Sequence, residues 1–130
     1  MNDTNIKLNV MLVDDSILIL RILEDILKEL GHSVVAKAKN GKEAIELYKQ
    51  HNPDMLLLDI TMPGEFNGIE VCRQIKSNYP DGVIIMCTSH GQESMVRDAI
   101  KAGAKSYILK PVNKLTVTKH IEQIFSKPKA

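Results

Sequence analysis

The chain has little cysteine, no long apolar run and almost no net charge, and each lack excludes a class of function. Its two cysteines, Cys72 and Cys87, fall in a helical pattern and in a strand pattern. They read as buried thiols of a reducing compartment and not as metal ligands or nucleophiles. No apolar run approaches the roughly 20 residues of a bilayer span, so membrane insertion is not expected. The opening Asn2-Asp3-Thr4-Asn5 is polar and lacks the pattern of a secretory signal. Seventeen basic residues stand against sixteen acidic ones, a net charge of +1, which gives no pull toward nucleic acid or an anionic surface. No G-x-G-x-x-G follows the first strand pattern and no G-x-x-x-x-G-K-[ST] occurs, which disfavours a dinucleotide enzyme and a P-loop NTPase. Without repeats or low-complexity segments, residues 1–130 read as one cytoplasmic α/β domain with its core at about residues 7–126.

Five strand patterns alternate with five helical ones. The strands are expected over Leu8–Val13, Ser33–Lys37, Asp54–Leu58, Val83–Cys87 and Ser106–Leu109. The first helix follows Asp15-Ser16, either of which can cap it. Its apolar stripe is Ile19, Ile22, Leu23, Ile26, Leu27 and Leu30, and Gly31 suits the position just past its end. The second runs from about Lys42 to Gln50, after the Asn40-Gly41 turn and before Pro53. The third follows Gly68, the fourth follows His90-Gly91 and stops at Ala102-Gly103, and the fifth covers about Leu115 to Phe125. Strict alternation of this kind gives right-handed crossovers and a parallel sheet with helices on both faces. Five strands suit the flavodoxin-like, doubly wound order 2-1-3-4-5.

That order places chemistry at one rim. Ligands of open α/β sheets bind outside the carboxyl ends of the strands. Val10-Met11-Leu12-Val13 runs into Asp14-Asp15, and Met55-Leu56-Leu57-Leu58 runs into Asp59. Val83–Cys87 runs into Thr88-Ser89, and Tyr107-Ile108-Leu109 into Lys110-Pro111. The carboxylates suit a hard divalent cation, and a hydroxyl with an ammonium suits an anion beside it. Singly, each residue has an ordinary reading: Asp15 as a helix cap, Asp59 as a loop charge, Thr88 as a β-branched strand residue. Lys110 reads as a solvated lysine before a turn-forming proline whose bond is trans by default. Together, at the ends of four strands of one sheet, they read as a site. His32, His51, His90 and His120 are dispersed and are expected on the surface or in loops.

Val13-Asp14-Asp15-Ser16, Asp59-Ile60-Thr61-Met62-Pro63, Thr88-Ser89 and Lys110-Pro111, in this order, resemble the receiver domain of two-component response regulators. The resemblance covers nearly the whole chain. Cys87–Val96 and Ala99–Lys105 are most similar to the stand-alone chemotaxis members, and the length agrees. The resemblance implies that Asp59 is the phosphoryl acceptor. It implies that Asp14, Asp15, Asp59 and the backbone carbonyl of Thr61 hold Mg²⁺ or Mn²⁺. Thr88 and Lys110 would bind the phosphoryl group, and Thr88 with Tyr107 would form a hydroxyl–aromatic switch pair. The signal would leave through helix four, strand five and helix five, where Arg97, Lys101, Lys105 and Lys119 are candidate exposed positives. Thr61, Ser89 and His90 are possible modulators of the phosphorylated form, His90 being as readily a solvated loop residue.

The implied partners are a sensor histidine kinase, then a phosphatase, a flagellar motor switch or a histidine phosphotransfer protein. A monomer or weak dimer is expected, acting as a signalling switch and not as an enzyme. A phosphorelay intermediate is the first alternative. An aspartyl-phosphate phosphohydrolase is disfavoured, because Thr61 stands where such enzymes carry an acid, and an inert docking module is disfavoured by the complete reactive set. Several positions depart from the family pattern. Gly64-Glu65-Phe66-Asn67 makes the loop after Asp59 one residue longer. Such an extension costs little in closure entropy, so its effect is expected on access to Asp59, with Phe66 at the rim. Ser89 stands where alanine is common and Val112 where chemotaxis members often have phenylalanine. Leu20 stands where arginine is frequent, with Arg21 one residue later.

Overall fold

In the computed structural model, residues 6–62, 67–89 and 93–125 are described. The loop Gly64–Phe66, His90 and the basic tail therefore lie outside the described residues. Five strands, β1 (Asn9–Val13), β2 (Ser33–Ala38), β3 (Met55–Asp59), β4 (Ile84–Thr88) and β5 (Ser106–Leu109), alternate with helices. These are α1 (Ile17–Glu29), α2 (Gly41–His51), α3 (Gly68–Asn78), α4 (Val96–Lys101) and α5 (Lys114–Phe125). All strand pairings are parallel and the sheet order is β2-β1-β3-β4-β5, the expected flavodoxin-like order.

Alternation along the strands divides the core in two. Met11, Val13, Leu56, Leu58, Ile84 and Met86 face α2, α3 and α4, where Ala44, Tyr48, Val71, Cys72, Ile75 and Ala99 meet them. Val10, Leu12, Met55, Leu57, Ile85, Cys87 and Ile108 face α1 and α5, with Leu20, Leu23, Leu27, Val117 and Ile121. β3 and β4 are buried along their whole length. That double burial is why their sequences read as continuous apolar runs. Both cysteines are free and buried.

Asparagine and serine set most helix starts. Ser16 accepts from the Ile19 N–H, Asn40 from Glu43, Asn67 from Glu70 and Asn113 from Thr116. Each satisfies one of the donors that a first helical turn leaves open. Gly31, at φ 90°, ends α1, with its N–H bonded to the Lys28 carbonyl.

The structure corrects several expectations. β3 and β4 each run one residue further, so Asp59 and Thr88 are strand residues, held in register opposite Cys87 and Leu109. The buried stripe of α1 is Leu20, Leu23 and Leu27, while Ile22 is exposed. Steps of three and four centred on Leu20 define the inward face, and Ile22 falls beyond its edge. The fourth helix begins only at Val96, after a 3₁₀ turn at Glu93–Met95, and Met95 before it makes no side-chain cap. The Lys110–Pro111 bond is cis, which the tertiary amide of an X–Pro bond makes accessible.

Two histidines are structural. His32 is buried and its Nδ1 accepts the Leu8 N–H at 3.0 Å. His120 is half-buried, with Nδ1 2.9 Å from the Ser106 hydroxyl. Burial holds both imidazoles below their ordinary pKa. For His32 the sign follows directly. A depressed pKa in the fold contributes stability that is present above the ordinary value of 6.5 and is lost as pH falls through the folded value. His32→Ala orphans the Leu8 N–H and is expected to cost about 1–3 kcal/mol near neutral pH. The gap from wild type should narrow on acidification below 6.5. Urea unfolding across that window checks this, and a pH-independent gap would refute it.

Candidate functional site

β1 hands the chain to Asp14, whose N–H still bonds to the Ala38 carbonyl of β2 at 3.1 Å. The sheet thus fixes Asp14 at its rim. The Ser16 N–H donates to Asp14 Oδ1 at 2.9 Å. Ser16 rather than Asp15 caps α1, so Asp15 is left exposed beside the site. Asp59 ends the adjacent β3. One oxygen from each of Asp14, Asp15 and Asp59 lies within 4.8 Å of the others. Asp14 and Asp59 are buried. Three clustered carboxylates, two withdrawn from water, form the oxygen-rich, negative donor set that a hard divalent cation takes, and these residues fit such an ion.

Lys110 closes the group from β5. Its backbone N–H donates to the Thr88 carbonyl at 2.7 Å, extending the β4–β5 ladder. Its Nζ donates to Asp14 Oδ2 at 2.8 Å and stands 3.6 Å from Asp59 Oδ1. Lys110 thus forms an ion pair with Asp59. The tighter partner, however, is Asp14, whose second oxygen is left open after Oδ1 takes the Ser16 N–H. Burial works against the ammonium, but the Asp14 hydrogen bond and the Asp59 charge outweigh it and hold the pKa above the ordinary lysine value. The Asp59 pKa is raised as well, which here disfavours the charged form. Burial raises its pKa from 3.8 to about 6, opposed by Lys110, supported by Asp14, and opposed again by the Thr61 N–H. That N–H is 3.4 Å from Asp59 Oδ1.

Thr88 is fully buried at the end of β4, its Oγ1 donating to the Ser89 carbonyl at 3.4 Å. Tyr107 lies on neighbouring β5, opposite Met86, and is 44% exposed. Thr61 and Ser89 are exposed at the rim. Asp14, Asp15, Asp59 and Lys110 therefore meet in one cluster, and Thr88 stands one strand over from Asp59. Arg97, Lys101, Lys105 and Lys119 are all exposed, as expected. Sequence reasoning missed Ser16 as the residue that orients Asp14. The signal was there, since an aspartate followed two residues later by an open N–H forms an Asx turn.

The sequence matches the response regulator receiver domain over residues 10–122. The chain belongs to this family. It is 48% identical over 102 residues to the chemotaxis protein CheY of Bacillus subtilis, covering 78% of this chain and 84% of that protein. It is 42% identical over 115 residues to CheY of Thermotoga maritima, covering 88% and 95%. Among solved structures it is similar to a chain of the CheX–CheY–BeF₃–Mg²⁺ complex of Borrelia burgdorferi. That match has 35% identity and a TM-score of 0.85, and it covers 92% of this chain and 90% of that one. The receiver has, among its described residues, no helix long and apolar enough to cross a membrane.

The raised pKa of Asp59 makes a stability prediction for the receiver in chelator. A carboxyl with a raised folded value contributes stability that is full below 3.8 and lost as pH rises through about 6. Asp59→Asn removes that loss. A shift from 3.8 to about 6 corresponds to about 3 kcal/mol at neutral pH, so the variant should be more stable than wild type by about that amount. The advantage should vanish below 3.8. Chemical denaturation against pH decides, and an advantage that persists unchanged into acid would contradict the assignment.

Proposed function

We propose that this receiver is a phosphorylation-activated switch that takes a phosphoryl group from a histidine kinase onto Asp59. The observation that carries the reading is the meeting of three carboxylate oxygens within 4.8 Å with the Lys110 ammonium beside them. Phosphoryl transfer needs in-line positioning and charge stabilisation more than elaborate covalent chemistry. Asp14, Asp15, Asp59 and the Thr61 backbone carbonyl would hold Mg²⁺ or Mn²⁺, which supplies neutralisation of carboxylate and phosphoryl charge.

The residues then divide the work. An Asp59 carboxylate oxygen attacks the phosphorus of the donor phosphohistidine. The O–P bond forms as the N–P bond breaks, and the imidazole leaves to take up a proton. A carboxylate serves as nucleophile in other aspartyl-phosphate reactions. Lys110, held between Asp14 and Asp59, turns its ammonium to a phosphoryl oxygen. Thr88 moves its hydroxyl toward the new anion. Tyr107, half outside the fold, occupies the space that Thr88 vacates, and the α4–β5–α5 face with its exposed Arg97, Lys101, Lys105 and Lys119 is altered. Thr61 and Ser89, exposed at the rim, would set how long the phosphoryl group lasts, and the family resemblance adds His90 as a modulator. On this reading the chemistry is self-phosphorylation and autodephosphorylation, without turnover of an external substrate.

The CheY relatives support a chemotaxis-type role with a flagellar motor switch as target. A histidine phosphotransfer protein in a phosphorelay is the alternative. The CheX in the B. burgdorferi complex lends support to a phosphatase partner.

The first test is mass measurement after incubation with a small acyl phosphate and Mg²⁺. Wild type should gain one phosphoryl group, and Asp59→Asn or excess chelator should abolish the gain. A gain that survives in Asp59→Asn sinks the assignment. Thr88→Ala should accept phosphate yet lose most of the phosphorylation-dependent NMR shifts on α4 and α5. Lys110→Ala should lose these shifts and shorten the phosphoryl lifetime. Full wild-type shifts in Thr88→Ala would refute the switch.

A further inference from the structure

We infer that the Asn67–Gly68 start of α3 is a positioning element for Asp59 and Thr61, an inference that rests on the role proposed above for those two residues. Gly68 is in backbone contact with the end of β3. A Cβ placed on it would overlap the Asp59 carbonyl oxygen and would stand 2.8 Å from Ile60 Cα and 2.9 Å from the Asp59 carbonyl carbon. All three neighbours are backbone atoms, so no side chain can swing aside to admit a methyl group. The φ of Gly68 lies outside the left-handed region. The requirement for glycine is therefore one of distance and not of backbone freedom.

The contact is also bonded. The Gly68 N–H, an open donor of the first helical turn, reaches the Ile60 carbonyl at 2.8 Å. Asn67 accepts from the Glu70 N–H at 3.0 Å and so secures the turn that presents it. Ile60 lies between the proposed nucleophile and the proposed carbonyl ligand, and it is fully buried. On its other side the Ile60 N–H donates to the Cys87 carbonyl of β4 at 3.2 Å. The peptides that carry Asp59 and Thr61 are thus gripped between β4 and α3.

Gly68→Ala should displace the Asp59–Thr61 backbone while leaving the carboxylates chemically intact. A displacement approaching 1 Å at a reacting group can cost about a hundredfold in rate. We expect a loss of about tenfold or more in the rate of Asp59 labelling at saturating acyl phosphate, with weakened Mg²⁺ binding measured on the unphosphorylated protein. Gly103→Ala is the matched control. It forces alanine to φ +116° against Lys76, a stability cost at the β5 entry, away from the site. Its labelling rate and Mg²⁺ affinity should remain those of wild type. If Gly68→Ala equals Gly103→Ala in both measurements, the inference is overturned. Should Gly68→Ala fail to fold, Asn67→Ala removes the cap of that turn without adding an atom against β3, and Asn40→Ala removes the equivalent cap on α2. Slower labelling and weaker Mg²⁺ binding in Asn67→Ala alone support the inference, and equal values in the two overturn it. A wild-type protein that takes no label on Asp59 overturns the phosphoacceptor assignment instead, while the Mg²⁺ comparison still decides whether α3 positions the carboxylates.

Discussion

The rest of the site depends on one electrostatic imbalance. Two carboxylates are withdrawn from water and a third stands beside them, against one ammonium. Burial of the Asp59 carboxylate, opposed by Lys110 and reinforced by the neighbouring Asp14 charge, raises its pKa to about 6. Lys110 relieves part of the repulsion but divides itself between two acids. The cluster is therefore short of positive charge, and a hard cation and a phosphoryl oxygen are complementary additions to it. On the proposed function the cation would meet the carboxylates and the phosphoryl oxygen the lysine, and relief of the cluster's cost in the free protein would favour both.

The sheet makes such crowding tolerable because it leaves little freedom to relax. Asp14, Asp59, Thr88 and Lys110 each have backbone partners on a neighbouring strand. β3 and β4, behind Asp59 and Thr88, are buried on both faces, so a shift of that part of the rim would disturb both halves of the core. Ser16 fixes one oxygen of Asp14, which explains why Lys110 takes the other at 2.8 Å and reaches Asp59 only at 3.6 Å. A capping residue thereby influences the ion pair from across the site.

Much of this was legible in the sequence, for a physical reason. Doubly buried strands must be apolar throughout, so the first polar residue after Val13 or Leu58 marks the rim unambiguously. Parallel connection then brings the marks to one edge. Features set by tertiary neighbours were less legible. Nothing local distinguishes Leu20 from Ile22 as the inward residue of α1, because both fit a helical stripe and the choice depends on where β1 and β3 lie. His32 looks like a turn histidine until the chain folds Leu8 against it. The late start of α4 carries no local mark, since Met95 before it makes no side-chain cap. The grip of Gly68 on Asp59 joins residues on either side of a loop, and a lone glycine before a helix gives no sign of what its missing side chain makes room for.

The position of the proposed output follows from the same sheet. β3 and β4 lie inside the sheet with every residue buried. β5 is an edge strand of four residues, paired only with β4, and a single one of its residues is buried. α4 beside it has six residues and one buried side chain. A charge added at Asp59 meets unyielding core behind it and a lightly held edge one strand beyond Thr88. Displacement is cheapest where burial is least. Tyr107 lies in that edge strand with nearly half its surface in water, so its reorientation breaks little packing. The proposed signal at the α4–β5–α5 face would thus leave where burial is least, and the proposed strand-end chemistry sits where burial is greatest.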